Sequence, residues 1–509
     1  MIKITPQFEE YKLTIFDLNT KKAQIFKEVL NLSENSPQIL ENIESDMNEY
    51  ALVKKQMRIA NKKHELKNQP DIIDLSDLQS ETAELELNDG RPRVIPNEFL
   101  LYLLVLRGCY GSITNKEVIE LINDSKTIEL IMGYYGCRNL AANTMRENLN
   151  HISRNTLDMI FRCQIQLIQD ELLDDFTEIL IDSTAVAGNS AYPTDITTLY
   201  KLLNRIDNSL AKLEFFGING RKEKNTDNLL KEINSLVTSI SLSLGNNNKK
   251  VKQKIKKNAK ILFKKARKLI DILLEQQLSL QVNWEKVDLP PDKALALDNL
   301  WGLIEQDLED VEGVFYYSAL LLLKKQNIPT GSKMLSVSDP DVGYIQKGGR
   351  RPIIGYKPQI ARSGNGFICG YITPVGNASD TSMFMPVIQQ VIKNTLVTPT
   401  IVSVDDGYSS QENLDEALSL GIPIISFSGS KGKRLTEGAW DSTTNQDARD
   451  QRSAVESGMF TLKFNHNFGQ LARRGIDAVH TEQLEKVIAC NFMHILRTKE
   501  KSEAYKLAS

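Results

Sequence analysis

The chain has 509 residues, of which 41% are hydrophobic and 25% are charged, as is typical of a soluble globular protein of about three domains. The formal net charge of -3 argues mildly against a nucleic-acid partner, because such a partner usually requires a basic surface. We see no signal peptide and no apolar run of membrane-spanning length. Five scattered cysteines without paired spacing indicate a reducing, cytoplasmic setting and no zinc site.

The N-terminal third is predicted to be helical. Residues 1–95 form a helical extension, with patterns at Ala23–Leu32 and Ile39–Lys67, that ends in an acidic linker around Asp71–Glu86. Residues 96–172 carry only short helical patterns, which suit either an ordinary support domain or a helix-turn-helix domain. In the second case a set of polar side chains faces a DNA groove, namely Asn143, Thr144, Arg146 and Asn148.

A second helical region is predicted from residue 196 to residue 329, between two parts of a mixed α/β region. Its helical patterns lie at 196–215, 226–244, 249–277 and 293–325. The stretch Lys249–Lys268 holds eleven cations and no acid. A solvated helix face is the usual explanation for such a stretch, and sequence-independent contact with the DNA backbone is the alternative. The candidate contacts are Lys256, Lys257, Lys260 and Lys264.

Strand patterns return in the C-terminal part of the chain. The predicted strands are Lys333–Val337, Ile353–Ile360, Gly366–Thr373, 399–405 and Ile422–Phe427, with helices at Ser382–Thr395 and up to Leu420. Antiparallel strands followed by alternating helix and strand favour a mixed sheet. The polar stretch Gly429–Asp450 is predicted to be a mobile loop. Within it, Trp440 either stacks on an unpaired base or packs on its neighbours.

Three acids are candidates for a metal site. Asp182 ends the apolar strand that starts at Thr177, and Asp405 ends the strand pattern that starts at Pro399. Glu456 lies in a helical pattern that places Arg452 and Lys463 on roughly the same face. Carboxylate oxygens are the ligands that Mg²⁺ and Mn²⁺ prefer. Two alternatives stay open: each strand-end acid is also a common turn residue, and Asp406 competes with Asp405 as the ligand.

The order of these acids resembles the DDE transposases of bacterial insertion sequences. Glu456 stands four residues after Arg452 and seven before Lys463, as in the Arg-x3-Glu-x6-Lys motif of that family, and Asp405 begins an Asp-Asp-Gly-Tyr sequence. Further similar segments are 190–195, 347–350 and 376–380. The chain departs from the family pattern at Arg449, where the family often has tyrosine.

The resemblance implies a ribonuclease H-like α/β domain at residues 173–195 and 330–500, a mixed sheet flanked by helices. The all-α segment 196–329 is then a long insertion between the first and second catalytic aspartates, and residues 96–172 are the DNA-binding domain. The implied catalytic and metal-binding residues are Asp182, Asp405 and Glu456, with two Mg²⁺ or Mn²⁺ ions per active site. Implied DNA contacts are Arg452, Lys463, Lys347 and Arg350, together with the four lysines named above.

By this resemblance the protein is a transposase that cleaves transposon ends and transfers the strands into target DNA. Its partners are double-stranded DNA, as terminal inverted repeats and as target, and a second copy in a homodimer on DNA. No membrane partner is expected, and the expected location is the bacterial cytoplasm, at the nucleoid when DNA is bound. Two other functions remain open: a nuclease of the same fold without strand transfer, and a non-catalytic DNA-binding protein derived from a transposase.

Overall fold

The structure is a computed structural model that describes residues 18–67, 95–111, 114–137, 140–189, 194–219, 226–284, 287–346 and 351–508. The acidic linker predicted around Asp71–Glu86 lies outside these residues. The chain divides into two compact units. The first comprises residues 1–50, 92–189 and 341–509, and the second comprises residues 51–91 and 190–340.

Helices dominate the N-terminal part of the described chain. They are α1 (Lys21–Asn35), α2 (Gln38–Lys67), α3 (Asn97–Cys109), α4 (Asn115–Asn123), α5 (Lys126–Tyr134), α6 (Ala142–Asn150) and α7 (Arg154–Asp170). Thr114 and Glu117 start α4 with a reciprocal capping box, which satisfies two amide groups at the helix end. Residues 99–108 of α3 are all buried, so α3 is a core helix of the first unit.

The first unit contains two sheets. Their strands are β1 (Glu178–Ser183), β2 (Val186–Ala187), β3 (Gly343–Ile345), β4 (Ile353–Tyr356), β5 (Gln359–Ser363), β6 (Ile368–Ile372), β7 (Ile401–Val404) and β8 (Ile424–Phe427). The larger sheet has the order β6-β5-β1-β7-β8, and the smaller has the order β2-β4-β3. In the larger sheet β5 is antiparallel to both of its neighbours, β6 and β1, whereas β1, β7 and β8 run parallel to one another.

The remaining helices of the first unit surround the larger sheet. They are α12 (Asp380–Thr395), α13 (Gln411–Ser419), α14 (Ser430–Leu435), α15 (Thr443–Gln451), α16 (Ser453–Asn465) and α17 (Ile476–Ala508). A Cβ at Gly370 of β6 would meet Val391 of α12 at 2.9 Å, while Tyr371 donates to Gln483 of α17 at 2.6 Å. Since neighbouring strand residues point to opposite faces, α12 and α17 cover the two sides of β6. The predicted mixed sheet flanked by helices is therefore confirmed.

The second unit is helical in its described part. Its helices are α8 (Asp195–Lys212), α9 (Thr226–Ser243), α10 (Lys249–Trp284) and α11 (Pro291–Ala319), and the second half of α2 also belongs to it. These helices agree with the four patterns predicted from the sequence. Leu199, Leu203, Ile206 and Leu210 recur at helical spacing and are fully buried in an apolar core shared by α8 to α11. Burial of this face is what stabilises the bundle.

Three sequence predictions in the C-terminal part are wrong. Residues 333–337 form no strand. The predicted strand Ile353–Ile360 is two strands, β4 and β5, in different sheets, because Pro358 has no N–H to continue a ladder. The stretch Gly429–Asp450 is not a loop throughout, since it contains α14 and most of α15.

None of the described helices combines the length and the apolar composition that crossing a membrane requires.

Candidate active site

The two strand-end aspartates lie on neighbouring strands. β1 and β7 are parallel, and their register pairs Ile181 with Val404. The next residue on each strand is an aspartate, Asp182 on β1 and Asp405 directly after β7. Asp182 is half-buried and Asp405 is exposed. The sheet therefore brings together two carboxylates that are far apart in sequence.

Local hydrogen bonds hold both aspartates. Asp182 Oδ1 accepts from the Ser183 amide at 2.6 Å. Asp405 Oδ1 accepts from the Asp406 amide at 2.7 Å and from the Ser428 hydroxyl, which follows β8, at 3.1 Å. A carboxylate oxygen has more than one lone pair, so these bonds leave acceptor capacity at both residues.

Asp406 has a different environment from Asp405. Its carboxylate accepts from the Gly432 amide at 2.9 Å and from the Lys431 amide at 3.3 Å, at the start of α14. Burial alone would raise the pKa of Asp406, but these amide hydrogen bonds outweigh it, and the pKa lies below its ordinary value. Gly429 permits the approach, because its φ is +96° and a Cβ there would meet Asp406 at 2.6 Å. Asp406 is thus engaged in holding α14.

Glu456 lies on α16, across a cleft from Asp182. The cleft has a volume of about 470 Å³ and is lined by Asp182, Ser183, Thr184, Ala185, Ile345, Arg351, Ile353, Glu456, Met459, Phe460, Lys463 and Phe464. Glu456 pairs with Arg452 at 3.5 Å and its side chain remains 64% exposed. Lys463 Nζ donates to the Ala185 carbonyl at 3.1 Å. The structure therefore brings Asp182, Glu456 and Lys463 to one cleft, while Asp405 is not among its lining residues.

The carboxylates suit a hard cation by donor type, since all are oxygen ligands. In the described part of the chain, however, no group of three or more His, Cys, Asp or Glu side chains is close enough together to hold a metal ion. Like charges disfavour one another at short range, so carboxylates are expected to stay apart until a cation compensates them.

A buried polar group beneath the strand ends was missed by sequence reasoning. The Tyr408 hydroxyl donates to Gln359 Oε1, and it also hydrogen-bonds the Ser183 side chain. Gln359 in turn donates to Asp380 at 3.2 Å, and Lys357 pairs with Asp380 at 2.8 Å. Burial raises the pKa of Tyr408 well above its ordinary value, and Asp380, Asp182 and Asp405 add to the shift.

This group, Tyr408, Gln359, Asp380 and Lys357, links β5 and α12 to the turn after β7. Two of its members lie in segments that the sequence analysis had singled out. Asp380 ends the 376–380 segment, and Tyr408 ends the Asp-Asp-Gly-Tyr sequence. Their link through Gln359, which hydrogen-bonds both side chains, depends on the sheet register, which the sequence pattern does not give.

The predicted DNA contacts fall into separate places. The four lysines Lys256, Lys257, Lys260 and Lys264, hereafter the lysine cluster, are exposed on α10, and no ion pair with a described residue engages them. Nearby Lys265 and Arg267 are paired, with Glu232 at 2.6 Å and Glu312 at 2.5 Å. Lys347 and Arg350 lie outside the described residues.

Trp440 packs against its own neighbour. The Arg449 guanidinium lies 4.0 Å from the centre of the Trp440 ring and donates to the Trp440 carbonyl at 2.8 Å. The cation over the aromatic face stabilises this turn. Arg449, which replaces the tyrosine frequent at this position in the family, thus holds the Trp440 turn ahead of α15.

Comparison with known proteins matches the C-terminal part of this site to a family. Residues 327–492 match the protein-family model described as Transposase DDE domain. The matched region contains Asp405, Glu456 and Lys463 and begins after Asp182. Searches of curated proteins and of solved structures give no match. Residues 327–492 therefore carry a transposase DDE domain, and this match supports a DDE transposase of an insertion sequence.

Proposed function

We propose that this transposase cleaves DNA at the ends of its own element and joins the freed strands to target DNA, using divalent metal ions. The observation that carries the proposal is the pairing of Ile181 with Val404, which sets Asp182 and Asp405 side by side at two strand ends. Glu456 faces the same cleft as Asp182. Two strand-end aspartates and a helix glutamate are the acids that the resemblance assigns to catalysis.

The sheet order supports a ribonuclease H-like fold for the catalytic domain. Three antiparallel strands, β6, β5 and β1, continue into two parallel strands, β7 and β8, with helices between them. Helices α8 to α11 come between Asp182 and Asp405 in the chain and form their own core. We therefore interpret them as a helical insertion between the first and second catalytic aspartates.

Asp182, Asp405 and Glu456 are the residues that would hold two Mg²⁺ or Mn²⁺ ions. Bound ions of this kind lower the pKa of an attacking water or 3′-hydroxyl and stabilise the leaving oxygen. Lys463, which donates to the Ala185 carbonyl, would also contact a phosphate as a point charge. Arg452 neutralises Glu456 and would bind a phosphate oxygen beside it.

Further DNA contacts are assigned to the lysine cluster on α10 and to the short helices α4 to α6. The lysine cluster would bind phosphates without reading the sequence. Helices α4 to α6 would recognise the terminal repeats, with α6 carrying Asn143, Thr144, Arg146 and Asn148. Because both element ends must react together, we propose a homodimer on DNA.

The test is a reaction of the purified chain with a labelled duplex that carries the DNA end next to its own gene. With Mg²⁺ or Mn²⁺ we expect a nicked product and then a product joined to target DNA, and with EDTA neither. Cleavage without any joined product would establish the nuclease instead. DNA binding without metal-dependent cleavage, unchanged when all three acids are replaced by alanine, would establish the non-catalytic DNA-binding protein.

A further inference from the structure

Two exposed phenylalanines lie on the helix that carries Glu456. Phe460 is 61% exposed and Phe464 is 70% exposed. They stand four residues apart on α16, and their ring centres are 4.2 Å apart with planes inclined at 33°. Helix α16 buries Val455 and Leu462 instead. The two rings therefore form a continuous aromatic surface that the fold of the first unit does not use for its core.

The aromatic pair, Phe460 with Phe464, borders the acid cleft. Both rings line the same cleft as Asp182, Glu456 and Lys463. Arg351 lines it as well. An occupant of this cleft thus meets carboxylates, two cations and an aromatic surface within one site.

We propose that the aromatic pair stacks on an unpaired base of the DNA strand whose phosphate lies in the cleft. The inference rests on the proposed function and deepens it, because it concerns how the same site holds its DNA. A nucleotide has a flat base and an anionic phosphate. The base matches the aromatic pair, and the phosphate matches the cations Lys463 and Arg351. Stacking on aromatic side chains holds bases without regard to sequence, because every base has a π-face.

A protein partner fits the same surface less well. An apolar segment or a second copy covering the pair would also cover Glu456 and Lys463, and burying such charges without water or a partner is costly. A nucleotide avoids that cost, because its phosphate contacts the cations and its base contacts the rings. The proposal implies that DNA is unpaired next to the phosphate that reacts.

The experiment measures the affinity of the full chain for two fluorescent duplexes with a short unpaired overhang, one with normal bases and one with abasic overhang positions. Ca²⁺ replaces Mg²⁺, since it neutralises carboxylates but does not take the octahedral geometry that Mg²⁺ demands. We expect wild type to bind the abasic probe about 5- to 100-fold more weakly, as the absence of base stacking predicts.

In a variant with both Phe460→Ala and Phe464→Ala, both probes should bind with the affinity that wild type has for the abasic probe. The matched control is Phe215→Ala, which removes a phenylalanine that is 86% exposed in the second unit. That control should keep the full difference between the probes. A variant with Phe460→Leu and Phe464→Leu keeps most of the apolar area and removes the aromatic faces, so it should also abolish most of the difference.

Several outcomes would overturn the proposal. One is a double alanine variant that still discriminates between the probes. Another is disruption of a dimer by the double alanine variant in light scattering, with probe discrimination intact, which would assign the pair to contact with a second copy. If wild type cleaves element ends but binds both probes equally, only the stacking inference fails. If wild type binds neither probe and cleaves nothing, the proposed function fails with it.

Discussion

Replacement of Tyr408 by phenylalanine removes one buried hydroxyl from beneath the strand ends. The hydroxyl bonds Gln359 Oε1 and the side chain of Ser183, the residue after Asp182. Tyr408 itself ends the turn that Asp405 begins. The substitution therefore disconnects the two strand ends that carry the proposed metal ligands, without removing a ligand.

The expected magnitudes follow from these interactions. Gln359 is fully buried, and its Oε1 is deprived of the hydroxyl that it accepts from, which costs about 1–3 kcal/mol of folding free energy. Removal of a group that orients metal ligands typically lowers metal affinity about 10- to 100-fold. Since Tyr408 acts through Ser183 and the turn rather than on a ligand oxygen, we expect about 10-fold, the lower end of that range.

The assay is cleavage of element-end DNA across a Mg²⁺ titration, with the melting temperature measured in parallel. Tyr371→Phe is the matched control, because Tyr371 is also fully buried and donates to a glutamine, Gln483, at 2.6 Å on another part of the sheet. Both variants should be less stable than wild type, and only Tyr408→Phe should need more Mg²⁺. Equal Mg²⁺ requirements in wild type and both variants would show that Tyr408 does not position the proposed metal ligands.

Three further predictions test the packing, the pH response and the DNA contacts. Glu485→Ala removes the carboxylate that lies 2.5 Å from the buried Arg107 guanidinium, and it should lower the free energy of unfolding in denaturant by about 3–5 kcal/mol. The control Glu129→Ala breaks an exposed ion pair with Lys126 and should lower the free energy of unfolding by less than about 1 kcal/mol. Burial lowers the pKa of His466 below its usual 6.5, so on acidification the unfolded chain takes up this proton before the folded chain does. The melting temperature should therefore fall as the pH drops below about 6.5. If the melting temperature of His466→Gln depended on pH as steeply as that of wild type, His466 would not be the group responsible. Replacement of the lysine cluster by glutamine should make the log of the DNA-binding constant depend less steeply on the log of the salt concentration. The slope should decrease in magnitude by about 0.9 for each phosphate that the cluster neutralises in wild type. An unchanged slope in a binding titration would mean that the lysine cluster does not contact DNA.

Periodicity and strand-end acids predicted many of the helices and strands in both units. The strand before Asp405, the helix that bears Glu456 and the four helices of the second unit are all present, because each has a strong local pattern. The family resemblance implied that Asp182 and Asp405 share one site, but that they lie on adjacent strands was not predicted. The local pattern could not supply it, because strand order depends on interactions between distant segments.

Other features depended on interactions that no local pattern records. The polar stretch after Gly429 forms α14, because the carboxylate of Asp406 accepts the first amide groups of that helix from a different part of the chain. Ser442 caps α15 in the same way from within the stretch. Tyr408 and Gln359 are 49 residues apart, and only the sheet brings them together. Contacts between distant parts of the chain thus determined the structure where the local composition did not.

We propose that Asp405, and not its neighbour Asp406, is the second catalytic acid. The measurement is the rate of Mg²⁺-dependent cleavage of element-end DNA by Asp405→Asn and Asp406→Asn, with DNA binding measured for both. The side-chain oxygen of asparagine at position 406 can still accept the Gly432 amide, and only the longer bond from the Lys431 amide, at 3.3 Å, is lost. That variant should therefore fold and cleave at a rate near wild type. We expect abolished cleavage with retained DNA binding in Asp405→Asn alone. Equal cleavage by both variants, or abolished cleavage in Asp406→Asn alone, would contradict this assignment.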